Sequence, residues 1–240
     1  VCCDCILAFG LSIARNPAME FGVIFDWDGV VIDSSSLHAK SWELLAEEEN
    51  RTLPADHFKE GFGRKNIYII PKILKWAEDS AEVARLSSRK EALYRDLVRK
   101  EGVVALPGVS ALLQNLQEAG IPCCVGSSTE RANIELALEV LGLRAFFADI
   151  VSAEDVTEGK PHPDVFLKAA ACLDLSPNAC VVIEDAHVGI EAARAGGMFV
   201  VAVATTHPLE SLLSADRAVS TLEAVDPSDF ELLVAQEVAQ

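Results

Sequence analysis

Positive charge is what this chain has least of: 20 Lys and Arg stand against 37 Asp and Glu, a formal net charge of −17. With no basic stripe to neutralise phosphates, nucleic acid and anionic membrane are not expected as partners. No apolar run is long enough to span a bilayer. Zinc sets are missing too, because Cys2, Cys3 and Cys5 have no second CxxC pair or HxxxH to complete them. The cysteine count of seven is odd, and Cys123, Cys124, Cys172 and Cys180 fall in apolar runs, where a reduced thiol acts as a small hydrophobe. That usage fits a reducing compartment, the cytoplasm or an organelle stroma. Residues 1–18 lack a basic n-region and a cleavage box, so they read as a leader outside the folded unit rather than a signal peptide. Met19 stands just before the first strand and is the expected natural start.

What the chain does have is 240 residues, half of them hydrophobic. That suffices for one large domain, or a core domain with a smaller insert. Val23, Ile24 and Phe25 form a β-branched and aromatic run between Gly22 and Gly29 that reads as a strand buried on both faces. The run breaks into Asp26-Trp27-Asp28-Gly29. Side chains alternate along extended chain, so both carboxylates can address one spot. Two anions that close need a cation, and a hard divalent ion such as Mg2+ suits them. One carboxylate is then free to attack and the other to exchange protons.

Beyond Ser34-Ser35-Ser36, hydroxyls suited to capping, a helix is expected from His38 to Asn50 with Trp42, Leu45 and Ala46 on one face. Helical pattern resumes from Asn66 to Ala77, punctuated by Pro71, and again from about Ala81 to Lys100 behind Ser80. In that last helix Val83, Leu86, Leu93 and Leu97 make a stripe whose missing member is Lys90. Either Lys90 snorkels to water, or its face borders a cleft and it reaches an anion.

From the hinge at Gly102 to Gly108 onward the pattern alternates. Helices are expected at Val109–Ala119, Arg131–Leu141, Asp164–Leu173 and Val188–Ala195, with apolar runs at Ile121–Val125, Ile150–Val151, Val181–Ile183 and Phe199–Val203. Such alternation signals βαβ units. The expected fold is α/β, a doubly wound parallel sheet formed by residues 19–33 and 105–240, with residues 34–104 inserted as a helical domain. In such sheets, sites lie beyond the carboxyl ends of the strands.

Each run does end in chemistry. Val125 leads into Gly126-Ser127-Ser128-Thr129 before a helix, a phosphate seat or simply a good cap. Lys160 is fixed between Gly159 and Pro161 at the head of a helix, where an ammonium can neutralise a phosphoryl group. Ile183 is followed by Glu184-Asp185, hard-cation ligand types. His162, His187 and His207 have no metal or triad spacing and read as solvated or supporting groups.

In these four ordered motifs the chain resembles the haloacid dehalogenase superfamily, from Phe21 to about Pro208. Asp26-Trp27-Asp28-Gly29-Val30 matches its first motif, Ser127 its second, Lys160 its third, and Glu184-Asp185 its fourth. The insert resembles the helical cap of the subgroup with β-phosphoglucomutases and sugar-phosphate phosphatases. The resemblance implies that Asp26 attacks phosphorus and that Asp28 serves as acid and then base. It implies that Mg2+ is held by Asp26, the Asp28 carbonyl, Asp185 and Glu184. Ser127, with Ser128, would bind a phosphoryl oxygen, and Lys160 would neutralise charge beside the nucleophile. The acid at Asp28 sets the chain apart from superfamily members that cleave carbon–halogen or carbon–phosphorus bonds.

Within the cap, His38, Arg64 and Lys90 match positions that handle the sugar in the mutases. Against a mutase stands Glu130, where the mutase pattern has a lysine three residues after Ser127; a carboxylate there repels a second phosphate. The expectation is therefore a Mg2+-dependent phosphatase of a small phosphorylated metabolite, monomeric or a small homo-oligomer. A β-phosphoglucomutase is the alternative, and a catalytically silent binding protein the remote one.

Overall fold

The computed structural model describes residues 20–61 and 64–238, with side chains described through Ala235. The expectations for residues 1–18, including the Cys2–Cys5 cluster, lie outside the described residues. Free cysteines among the described residues are Cys123, Cys124, Cys172 and Cys180; the first, second and fourth are buried as read, while Cys172 is exposed.

The chain opens with β1 (Gly22–Phe25), every residue of which is buried. After β2 (Ile32–Asp33) come α1 (Ser35–Glu48), α2 (His57–Gly61), α3 (Asn66–Tyr68) and α4 (Ser80–Glu101). The chain returns through β3 (Val104–Ala105) to an alternating series: α5 (Val109–Glu118), β4 (Cys123–Gly126), α6 (Arg131–Leu141), β5 (Asp149–Val151), α7 (Asp164–Cys172) and β6 (Cys180–Glu184). It closes with α8 (His187–Ala195), β7 (Phe199–Val203), β8 (Arg217–Val219) and α9 (Pro227–Val238).

The main sheet runs in the order β5-β4-β1-β6-β7-β8, and every pairing in it is parallel. Period-two alternation deals its side chains to two layers. Val23, Phe25, Val181 and Ile183 join the layer with Leu112, Leu116, Ile134 and Phe230 of α5, α6 and α9. Ile24, Val182, Val200 and Ala202 join the layer with Phe166, Ala169, Ile190 and Ala193 of α7 and α8. Burial on both faces explains why these strands read as continuous apolar runs. Successive connections lead outward in opposite directions from β1 and β6, so the switch point falls between them, and a crevice forms where their carboxyl ends meet.

The insert has its own core, in which Trp42, Leu45 and Ala46 of α1 pack with Val83, Leu86 and Leu93 of α4 and with Ile69, Ile70, Leu74 and Trp76. It joins the sheet domain through β2 and β3, which pair antiparallel as a two-stranded ribbon. Three local expectations are corrected. Ser34 occupies the α1 N-cap without a side-chain capping bond, because its hydroxyl is used by Asp28. Asp79, not Ser80, caps α4, accepting from the Glu82 N–H at 2.9 Å. The segment after α3 is a π-helical turn, Ile69–Leu74, holding Pro71.

Candidate active site

β1 and β6 deliver their terminal acids side by side. Asp26, Glu184 and Asp185 are buried, and each offers an oxygen within 4.8 Å of the others. Lys160 closes this set from the loop before α7: its Nζ lies 2.7 Å from Asp26 Oδ1 and 2.7 Å from Glu184 Oε1. Buried charges persist only when paired and hydrogen-bonded. Glu184 meets that condition, since its second oxygen accepts the N–H groups of Asp185 and Ala186 at 2.8 Å each. Gly189 makes room for it, because a Cβ at that position would overlap the Glu184 carboxylate. Gly29, at φ +82°, likewise leaves space that Asp185 fills.

One ammonium does not balance three carboxylates. Burial, opposed by Lys160 and assisted by Glu184, pushes Asp26 up to about 7. Burial and the charges of Glu184 and Asp26 push Asp185 well above the usual carboxylate range. Lys160 loses by burial but gains more from its two acids, and its pKa is raised. A buried, all-oxygen donor set with surplus negative charge fits a hard divalent cation. It does not fit a soft metal.

Asp28 is held differently. Its oxygens accept from the Ser34 and Thr129 hydroxyls, and His38 Nε2 lies 3.4 Å away. Burial would raise its pKa, but the His38 ring and the two hydroxyls outweigh burial and hold it at about 2. Its carboxylate is not part of the acid trio.

The Ser127-Ser128-Thr129 stretch lies in the same place. Ser127 is buried, and its Oγ accepts the Thr129 N–H at 3.1 Å. Ser127, Ser128, Asp26, Asp28 and Lys160 line one cleft of about 360 Å3 together with His38, Arg64 and Lys90 of the insert. Glu184 and Asp185 border it too, so every expected site residue lines that cleft. Arg64 stacks its guanidinium 4.9 Å over Tyr68.

Lys90 does not snorkel. It is 2% exposed, with Nζ 2.7 Å from His38 Nδ1 and 2.8 Å from Glu91 Oε1. An ammonium only donates, so His38 Nδ1 accepts and the Nε2–H points its proton toward Asp28. Glu91 continues the chain: Asn66 Nδ2 donates to Oε1 at 2.7 Å and Asn133 Nδ2 to Oε2 at 2.5 Å. Asn133 belongs to α6, so this network crosses from insert to sheet domain. Lys65 crosses too, donating to the Ala153 and Val156 carbonyls at 2.9 Å each.

Sequence reasoning missed Lys65, Glu91 and Thr206, whose hydroxyl donates to Asp185 Oδ2, and placed Thr129 in the phosphate seat or cap without foreseeing its bond to Asp28. Thr205 and Thr206 follow β7 after Ala204, so the strand-end rule could have found Thr206. Nothing in spacing marks Lys65 or Glu91.

Fold and site together define a hydrolase-type α/β domain with a buried acid cluster at its switch point and a helical cap over it. The model of the haloacid dehalogenase-like hydrolases matches residues 22–197, and the chain belongs to that family. It is 36% identical over 222 residues to the chloroplastic 5-amino-6-(5-phospho-D-ribitylamino)uracil phosphatase of Arabidopsis thaliana, covering 91% of this chain and 59% of that protein. It is 36% identical over 193 residues to beta-phosphoglucomutase of Bacillus subtilis, covering 78% of this chain and 84% of that one. Among solved structures, beta-phosphoglucomutase from Clostridium difficile superposes with a TM-score of 0.81 at 26% identity, covering 92% of this chain and 100% of that one.

Proposed function

We propose that the protein is a Mg2+-dependent phosphomonoester hydrolase of a small phosphorylated metabolite, working through an aspartyl phosphate on Asp26. The observation that carries this reading is the Asp26–Lys160–Glu184 contact beside Asp185, with Asp28 placed separately on hydroxyl donors. Asp26, Glu184, Asp185 and the Asp28 carbonyl would hold Mg2+, which supplies charge neutralisation for the phosphoryl oxygens.

In the first half-reaction the free Asp26 oxygen attacks phosphorus. The bond to the leaving oxygen breaks, and that oxygen takes a proton from Asp28. In the second, water attacks the same phosphorus while Asp28 takes its proton, freeing inorganic phosphate and Asp26. Held at about 2, Asp28 is ready for the base half. The acid half needs a bound phosphate dianion to raise its pKa by repulsion. Lys160 orients Asp26 and neutralises the transferring group, and Ser127 with Ser128 would donate to its oxygens. Lys90 holds the His38 ring, whose proton steadies Asp28.

The cap, residues 34–104, would close over the sheet domain through Lys65 and Glu91 and open at linkers near Ser34 and Gly102–Gly108. Closure excludes water from the first step. The chloroplast in the Arabidopsis relative's name favours an organelle stroma over the cytoplasm.

The mutase reading has support in the similarity to beta-phosphoglucomutase. Glu130 counts against it. That carboxylate lines the cleft and would meet a second phosphate with repulsion. The test is phosphate release across small phosphomonoesters, with β-glucose 1-phosphate plus its 1,6-bisphosphate followed for isomer conversion. Net release supports the hydrolase; conversion without release supports the mutase.

A further inference from the structure

One acid of the cleft is used neither by the chemistry nor by the closure of the cap. Glu130 stands at the N-cap of α6, two residues beyond Ser128, and makes no side-chain capping bond. Its side chain is 32% exposed and lines the cleft. Arg95 Nη1 reaches its Oε2 at 3.5 Å, but the same nitrogen lies closer, at 2.8 Å, to Asn133 Oδ1. Among the described residues Oε1 accepts no hydrogen bond, and it is not one of the enclosed atoms left without a partner, so it faces open space. The charges that act on the carboxyl locate that space. Glu91 and Lys90 of the cap and Glu154 after β5 all act on it, and all three line the same cleft.

The cleft around Glu130 is short of positive charge. Among the described residues that line it are seven carboxylates and four cations. Lys90 and Lys160 lie against acids of their own, and Lys65 donates to core carbonyls. Burial and the charges of Glu91 and Glu154 push Glu130 up to about 7, against the pull of Arg95 and Lys90. A divalent cation and a phosphate dianion carry equal and opposite charge, so loading the phosphoryl seat leaves the excess of acids in place. A positive, hydrogen-donating group on the ligand would satisfy both Oε1 and that excess.

We propose that Glu130 is a specificity-determining residue that binds a protonated amine on the leaving group of the ester. The cleft then selects phosphate esters of amino alcohols over esters of the matching neutral alcohols. This rests on the phosphatase reading of Asp26, and it goes beyond the exclusion of a second phosphate by naming a group that the cleft attracts.

Two matched pairs of esters test it: 3-aminopropyl against 3-hydroxypropyl phosphate, and 5-aminopentyl against 5-hydroxypentyl phosphate. At about pH 8 the amines are charged and Glu130 is ionised. Wild type should favour the amine in at least one pair by about tenfold in kcat/KM, the scale of a hydrogen bond to a charged group. Glu130→Gln keeps the size and removes the charge, so it should abolish that preference while its kcat/KM on the hydroxyl esters stays within about threefold of wild type. Glu130→Lys should favour the hydroxyl esters. No preference in wild type, a preference that survives in Glu130→Gln, or equal losses on both members of a pair overturns the proposal.

Should wild type hydrolyse none of the four esters, the phosphatase reading fails while Glu130 remains testable. Calorimetric binding of each pair with Mg2+ is then compared between wild type and Glu130→Gln. Tighter binding of an amine that disappears in Glu130→Gln supports the proposal; equal binding of amine and hydroxyl, or binding of neither, overturns it.

Discussion

Lys160 decides the electrostatics of the site at the scale of single residues. It is the cation in contact with Asp26 and Glu184, and breaking a buried ion pair by removing one partner costs about 3–5 kcal/mol. Lys160→Met in metal-free buffer should lower unfolding stability by about 3 kcal/mol in urea melts. Added Mg2+ should restore part of that loss, because the cation takes over neutralisation of the acids. Glu130 works in the opposite direction. Burial, with the charges of Glu91 and Glu154, pushes it up to about 7. A carboxyl whose folded pKa exceeds its unfolded one binds more protons when folded, so its stability contribution falls as pH rises from about 4.5 through 7. Glu130→Gln should therefore gain stability relative to wild type above pH 7, by about 1–2 kcal/mol after allowance for its partial exposure. The difference should vanish below pH 4.5. Denaturant melts across that range would show it, and a constant difference at every pH would refute the assignment.

At the scale of elements, α8 shows how a helix is shaped to serve the site. Gly in a helix interior costs roughly 1 kcal/mol against Ala, yet Gly189 stands where any Cβ would strike the Glu184 carboxylate. Overpacking costs about 1–3 kcal/mol and displaces a charge here as well. Gly189→Ala should accordingly destabilise despite its better propensity, and weaken Mg2+ binding by calorimetry. The two crossings from cap to core give a second expectation. Lys65→Met removes both bonds to the Ala153 and Val156 carbonyls, so hydrogen exchange should quicken in residues 153–156 and KM should rise more than kcat falls. Unchanged exchange there would mean that Lys65 does not hold the cap.

How much of this was legible follows from the physics of each element. The expected bounds Arg131–Leu141 and Phe199–Val203 match α6 and β7, because one has clear helical period and the other is apolar on both faces. β2 and β3, two residues each, and the three-residue edge strand β8 are too short to leave a periodic signal. The acids and Lys160 were readable because strand ends collect chemistry. The hydroxyl of Ser34 was read as a cap and that of Thr129 as part of a phosphate seat or a cap, and neither reading pointed to Asp28, since sequence does not show which of several possible partners a hydroxyl finds.

Across the whole molecule, charge and topology combine. A net charge of −17 disfavours anionic ligands over the surface at large, so on the proposed function Lys160 and a divalent cation would have to offset it locally. Among the described residues no helix is long and apolar enough to cross a membrane. Since a ligand that binds only the folded state stabilises it, millimolar Mg2+ should raise the melting temperature of the wild type and raise that of Asp185→Asn less. Equal shifts would place the cation elsewhere.

The central claim is that Asp26 is the nucleophile of a phosphatase. Its most direct test is to mix enzyme, Mg2+ and a hydrolysed phosphomonoester, quench in acid within a turnover, and reduce with borohydride. An acyl phosphate is converted to the alcohol, so peptide mapping should find homoserine at Asp26 in the wild type, and Asp26→Asn should lose at least about a thousandfold in phosphate release. An unreduced Asp26 with undiminished turnover in Asp26→Asn would contradict the account.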